Sequence, residues 1–337
     1  VGWHRLGEAQ SKGFATLYSI SSITYLMEPR SLGLHYVTAI AGSAQRTHDF
    51  YTRVLGLRLV KQTISFDDPS THHFYFGTEA GAPGTLLAFF AGERSAAGRP
   101  GSGQATEAGY SIPAGSFDFW QQRFVRLGVR HEALAVRFDE PYLLFHDPDG
   151  LKLALVVSKT GDFRAPWTTF QIEQEVAIKG LHTVTLTLAN RYPTAELLTE
   201  VLGYQLLEQR GNRFRYGPGP AQSGALVDLL EEPDAEAGSM GRGSVHHVAF
   251  RVADEATQLH VHQLLLGRGL QPTLPTDRIY FHAISFREPG GVLFELATDY
   301  PGFTVDESLD ELGTRLQLPS QHEYLRPQLE GHLPNIG

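Results

Sequence analysis

Three short stretches carry residue types that could hold a metal ion. SVHHVAFRV at 244–252 places His246 and His247 near the start of a strand-like run. VLFELA at 292–297 sets Glu295 among apolar residues, and LGLHYVTAI at 32–40 sets His35 and Tyr36 near the start of another such run. Burying a carboxylate is costly unless it is paired or faces a cation. Adjacent strand residues point to opposite sides, so only one of His246 and His247 can share a cup with Glu295. A third donor would complete the facial set of two imidazoles and one carboxylate. Alternation equally allows Glu295 to meet solvent while Phe294 and Leu296 pack on the opposite face.

Composition limits the alternatives. The chain has 337 residues, enough for about two domains. With 42% hydrophobic and 19% charged residues it can bury sizeable cores and is not disordered. A net charge of −9 and the lack of a basic cluster argue against a nucleic-acid partner. No apolar run reaches the roughly 18 residues of a membrane span. There are no cysteines, so any metal must use His, Asp, Glu or Tyr, and disulfides and cysteine nucleophiles are excluded. The first methionine is Met27, and residues 1–26 lack the basic start and apolar core of a signal peptide. Met27 is therefore the expected natural start, and a cytoplasmic location is expected.

The elements that must position the candidate ligands repeat along the chain. LHYVT at 34–38 matches LHTVT at 181–185, and FYTRVLGLRLVKQT at 50–63 matches LLTEVLGYQLLEQR at 197–210, both at an offset of 147. LLFHDPDGLKLALVV at 143–157 matches ISFREPGGVLFELAT at 284–298 at an offset of 141. Each of the latter reads as strand, Pro-Gly turn, strand. Two matches in one register indicate duplicated halves. Each half divides into two units of strand, helix and two or three strands, which gives an α+β class with antiparallel-rich sheets. In the first unit a helix is expected over SAQRTHDFYTRVLG, then strands at 57–64, 72–77 and 85–90. Helices are also expected over SFDFWQQRFVRLG, ATQLHVHQLLLGRG, LDELGTRL and HEYLRPQLEGH. In THHFYF at 71–76 adjacent positions face opposite ways, and core or surface roles are expected for both histidines. GPGPAQSG at 217–224 is a hairpin loop, without the strand–loop–helix setting of a phosphate cradle.

With this layout, and with the runs LGLHYVTAIAGSAQRTHDFYTRVLGLRLVKQTISFDDPSTHHFYFGTEAGAPGTLLAFF and FREPGGVLFELATDYPGFTVDE, the chain resembles the vicinal-oxygen-chelate (glyoxalase/bleomycin resistance/dioxygenase) superfamily. Within it, the chain is similar to the hydroquinone-type ring-cleaving extradiol dioxygenases, from about Met27 to the tail. The resemblance implies four βαβββ modules paired into two open-barrel glyoxalase-like domains. The implied boundaries are an N-terminal extension at 1–31, a first domain at 32–160, a linker at 161–177, a second domain at 178–300 and a tail at 301–337. It also implies a metal cup built from the first and fourth modules. Carried over residue by residue, His247 and Glu295 are metal ligands, and the first ligand position falls on Tyr36, because an LHHVT-like run is here LHYVT. Ser285 stands where family members tend to carry tyrosine. His35, Thr38, His246 and Arg278 match polar residues around the cup.

Tyr36 allows three outcomes. It could ligate as a phenolate, whose pKa the metal must lower from about 10. It could swing away and leave water as third ligand, or it could fill the cup and leave a metal-free form. A weakened or altered site is expected, with His35 as a substitute ligand after a local bulge. The activity implied by the resemblance is O2-dependent cleavage of a hydroquinone- or catechol-like aromatic at a divalent metal, Fe(II) or else Mn(II). His246 or Arg278 would stabilise the deprotonated hydroxyl or move its proton. The expected partners are a small aromatic substrate, O2 and a second copy in a homodimer. The alternatives are a glyoxalase-like isomerase or lyase that needs no O2, and a non-catalytic protein that binds an aromatic or quinone.

Overall fold

The computed structural model describes residue 1 and residues 31–66, 68–92, 95–219 and 222–332. Residues 2–30, with most of the expected extension and the Met27 start, lie outside the described residues. Four units follow one another. The first comprises β1 (Leu34–Ala41), α1 (Ala44–Asp49), β2 (Arg58–Ile64), β3 (His72–Gly77) and β4 (Leu86–Ala91). The second comprises β5 (Gln104–Ser111), α2 (Phe117–Leu127), β6 (Ala135–Arg137), β7 (Glu140–His146) and β8 (Lys152–Val156). The third comprises β9 (Gly180–Leu188), α3 (Tyr192–Glu196), β10 (Gln205–Arg210), β11 (Arg213–Gly217) and β12 (Leu226–Glu231). The fourth comprises β13 (Val245–Val252), α4 (Glu255–Gly267), β14 (Thr276–Asp277), β15 (Phe281–Arg287) and β16 (Leu293–Pro301).

Two curled sheets of eight strands result. One has the order β14-β15-β16-β13-β1-β4-β3-β2, the other β10-β11-β12-β9-β5-β8-β7-β6. Each sheet thus takes one unit from each half of the chain, the first with the fourth and the second with the third. Residues 32–160 and 178–300 do not each hold a sheet of their own. The α+β class and the four paired modules expected from the sequence are what the fold shows.

The helices show where local sequence decides. In α2, Phe117, Trp120 and Phe124 lie on one stripe, and Trp120 and Phe124 are fully buried. Gly128 ends the helix in the left-handed region, with φ 68°. The helix expected over SAQRTHDFYTRVLG is not uniform: after α1 the chain winds as a π-helix over Phe50–Val54. The duplicate does the same over Leu197–Val201, at the same offset of 147. The tail differs from expectation as well. LDELGTRL forms only a 3₁₀ turn at Leu309–Glu311, and HEYLRPQLEGH is 3₁₀ through Leu325 before an α-helix at Arg326–His332.

Strand alternation divides the molecule into a shared core and a cup. Val37 and Ala39 of β1, Val248 and Phe250 of β13, and Phe294 and Leu296 of β16 join a core that also contains Tyr110, Phe145 and Leu186 from the other sheet. The intervening residues Tyr36, Ala249 and Ala297 join a separate cluster with Tyr75, Phe281 and Phe303 inside the first sheet. The connector is tied to both halves. Arg164 donates to the carbonyls of Gly84 at 2.8 Å and Leu181 at 2.6 Å, and the Trp120 indole donates to that of Val176 at 2.9 Å.

The entry to β13 depends on one glycine. Gly243 has φ +79°, and a Cβ there would run into the carbonyl of Asp149. Its N–H donates to the Ile40 carbonyl at 2.8 Å, which joins the end of β1 to the strand that carries the paired histidines. Gly243→Ala is expected to cost about 1–3 kcal/mol, read as a lower midpoint in urea unfolding at unchanged slope.

Candidate active site

The strand register places the candidate ligands on one inner face. Tyr36 on β1 pairs with Ala249 on β13, Ala249 with Glu295 on β16, and Glu295 with Ser285 on β15. His247 pairs with Thr38 and lies two residues before Ala249, on the same side of β13. Glu295 therefore points inward, not to solvent, and is only 5% exposed.

The duplicated sheet shows what is special about this row. The same register there pairs Thr183 of β9 with Gly109 of β5, and Gly109 with Ala154 of β8. Thr183 occupies the place of Tyr36, Ala154 that of Glu295, and Glu107, paired with Thr185, that of His247. Glu107 is held by Arg137 at 2.5 Å and Lys152 at 3.4 Å. The second cup therefore carries no counterparts of His247 and Glu295, and the candidate site belongs to the first and fourth units.

Hydrogen bonds fix the row. Tyr36 Oη donates to Glu295 Oε1, and Ser285 Oγ donates to Glu295 Oε2 at 2.9 Å. Burial pushes the Glu295 carboxyl above its usual range, against the opposing pull of the two hydroxyls and of Arg278. Burial, and then the charge of Glu295, holds the Tyr36 phenol far above its ordinary value. Tyr36 is therefore a neutral donor to a carboxylate. His246 and His247 meet through their Nδ1 atoms at 2.8 Å. One of the two must carry the proton. When it is His247, its Nε2 keeps the lone pair that a metal would use.

These residues open onto a cavity of about 510 Å³. Phe66, Tyr75, Phe90 and Phe281 form much of its wall, and His73, His246, Thr273, Arg278 and Ser285 add polar groups. The Arg278 guanidinium lies 5.3 Å from the centre of the Phe66 ring. Of the polar residues expected around the cup, His246 and Arg278 line it. His35 and Thr38 do not. His35 lies beside an irregularity in the β1–β13 register, but its Nε2–H donates to the Thr298 carbonyl at 3.0 Å. Burial lowers its pKa to about 4. Thr38 is fully buried, and its hydroxyl has no hydrogen-bond partner among the described residues.

Sequence reasoning missed His73 and Tyr75 as cavity residues. The signal was present in THHFYF: the two sit at i and i+2 on one face of β3.

The donor chemistry suits a divalent cation. Glu295 is a buried carboxylate with no lysine or arginine ion pair among the described residues, and it converges with His247 in the cavity wall. One nitrogen and one or two oxygens are on offer, the second oxygen being that of Tyr36. The set differs from two imidazoles and a carboxylate: among the described residues, no group of three His, Asp or Glu side chains could hold a metal ion.

The Glyoxalase/Bleomycin resistance protein/Dioxygenase superfamily model matches residues 33–155 and 181–296. "Putative ring-cleaving dioxygenase MhqO" of Bacillus subtilis (strain 168) is 41% identical over 309 residues, covering 91% of this chain and 98% of that protein. The chlorohydroquinone/hydroquinone 1,2-dioxygenase of Sphingobium indicum is 33% identical, covering 88% of this chain and 94% of that protein. A crystal structure of a "putative dioxygenase" from Bacillus subtilis subsp. subtilis str. 168 superposes with a TM-score of 0.87 at 40% identity, over 92% of this chain and 98% of that one. The chain belongs to the Glyoxalase/Bleomycin resistance protein/Dioxygenase superfamily.

Proposed function

We propose that the protein is a ring-cleaving dioxygenase acting on a hydroquinone- or catechol-like aromatic with O2. The carrying observation is the convergence of His247, Glu295 and Tyr36 on one face of an aromatic-walled cavity. The names of the relatives support the same chemistry. His247 and Glu295 would hold the metal, with Tyr36 as the altered third donor. A divalent cation there, Fe(II) or Mn(II), would supply open positions for a substrate hydroxyl and O2 and a path for electrons between them.

The chain's own residues supply the rest. Phe90 and Phe281 present flat apolar surfaces to the ring of the substrate. Arg278 brings positive charge to a cavity whose carboxylate is otherwise repulsive to an ionised hydroxyl. His246, bonded to His247, sets which nitrogen of that imidazole is protonated and can relay a proton from the cavity. His35 and Thr38 do not line the cavity and are given no direct contact with the substrate.

Oxygen uptake with substituted hydroquinones, on protein supplied with Fe(II) or Mn(II), tests the reading. One O2 consumed per ring opened is the expected result. Conversion of substrate without O2 uptake would favour the isomerase or lyase reading, and tight aromatic binding without turnover would favour a binding protein.

A further inference from the structure

The His73 side chain makes no hydrogen bond among the described residues. It sits on β3 between Thr63 of β2 and Phe90 of β4 and is only 5% exposed. Its ring centre lies 4.3 Å from that of Tyr75 and 4.4 Å from that of Phe90. Neither ring nitrogen has a hydrogen-bond partner among the described residues. A buried polar group left in that state is unfavourable, so its presence calls for a physical reason. His262 is equally unsatisfied, but it lies on α4 and does not line the cavity. His73 does line it, together with His247 and Arg278. Burial, then the nearby His247, Arg278 and His246, lowers its pKa well below the ordinary value, so the imidazole is neutral and offers one donor and one acceptor.

We propose that His73 is a specificity-determining residue that hydrogen-bonds a ring hydroxyl of the bound aromatic, the missing partner being supplied by the substrate itself. The inference rests on the proposed aromatic-binding role of the cup. Tilted ring contacts with Tyr75 and Phe90, at 41° and 36°, pack against the imidazole. A site built to bond a hydroxyl discriminates against a ligand that lacks one, because the polar group then stays buried and unsatisfied.

The test is anaerobic calorimetric titration of the full chain with hydroquinone and with 1,4-dimethoxybenzene, in which both hydroxyls are capped. Wild type is expected to prefer hydroquinone. His73→Phe is expected to reduce that preference by about 10-fold, the scale of one net hydrogen bond, and His73→Gln to restore part of it. A merely structural His73 would weaken both ligands alike in His73→Phe and leave the preference unchanged, which overturns the inference but not the proposed function. If wild type binds neither aromatic, both fall. Nitrogen-15 signals of the wild-type His73 ring give a readout that needs no variant: they should move with hydroquinone and not with the capped ligand, and no movement overturns the inference.

Discussion

Tyr36→His is expected to raise the iron or manganese bound per chain and to tighten metal binding by more than about 10-fold, since even partners that only orient a ligand command about 10–100-fold. In the native protein the phenol is neutral and spends its proton on Glu295. For Tyr36 to ligate, it must lose that proton in a buried site and give up the bond that satisfies the carboxylate. An imidazole at position 36 carries its lone pair at neutral pH without deprotonation and leaves Oε1 of Glu295 open to the cation. Elemental mass spectrometry on protein purified without chelators, beside the variant, measures this. A wild type already holding about one metal per chain, with no gain in the variant, would make Tyr36 an adequate donor as it stands. If both are empty even with added Fe(II) or Mn(II), His247 and Glu295 do not share a metal.

Period-two alternation and the internal repeat made the strands and modules legible in the sequence, while the candidate metal residues came from family resemblance. Glu295 between Phe294 and Leu296 revealed a strand with one distinct residue. The facing direction was undetermined, since Phe294 and Leu296 could have covered either side; the shared core behind β16 decides it. The pairing of the first unit with the fourth was implied by family resemblance and not by any spacing, because strand partners more than 200 residues apart leave no periodic trace. The Tyr36–Glu295 bond was hidden for the same reason: it depends on the register of β1, β13 and β16 together. His73 was discounted because THHFYF has two histidines and alternation alone does not say which one meets the cup. His35 illustrates the reverse case. The bulge that could have turned it inward is present, but a backbone carbonyl takes its Nε2–H.

The second sheet carries the largest expected effect on stability. Arg215 is buried, and its guanidinium makes a two-point contact with Asp228, at 2.8 and 3.1 Å, while also pairing with Glu140. His182, the repeat of His35, donates its Nε2–H to Glu140 at 3.0 Å. Arg215→Ala leaves two buried carboxylates without the cation between them; among the described residues His182 and the Lys159 N–H stay on Glu140, at 3.0 and 3.1 Å, and Arg213 stays 3.5 Å from Asp228. A loss of about 3–5 kcal/mol is expected in urea unfolding at neutral pH, the range for breaking one side of a buried ion pair. Acid stability supplies an independent check. Burial alone would raise the Glu140 carboxyl, but His182 and Arg215 outweigh it and hold the pKa at about 2. A depressed carboxylate stabilises the fold above its unfolded pKa of roughly 4.3, and that contribution disappears as pH falls toward the folded value. Arg215→Ala raises the folded value and narrows this window, so the acid-unfolding midpoint should move to higher pH. An unchanged midpoint together with an unchanged urea transition would mean that the arginine is replaceable by water and that the second cup is wetter than its buried ion pairs imply.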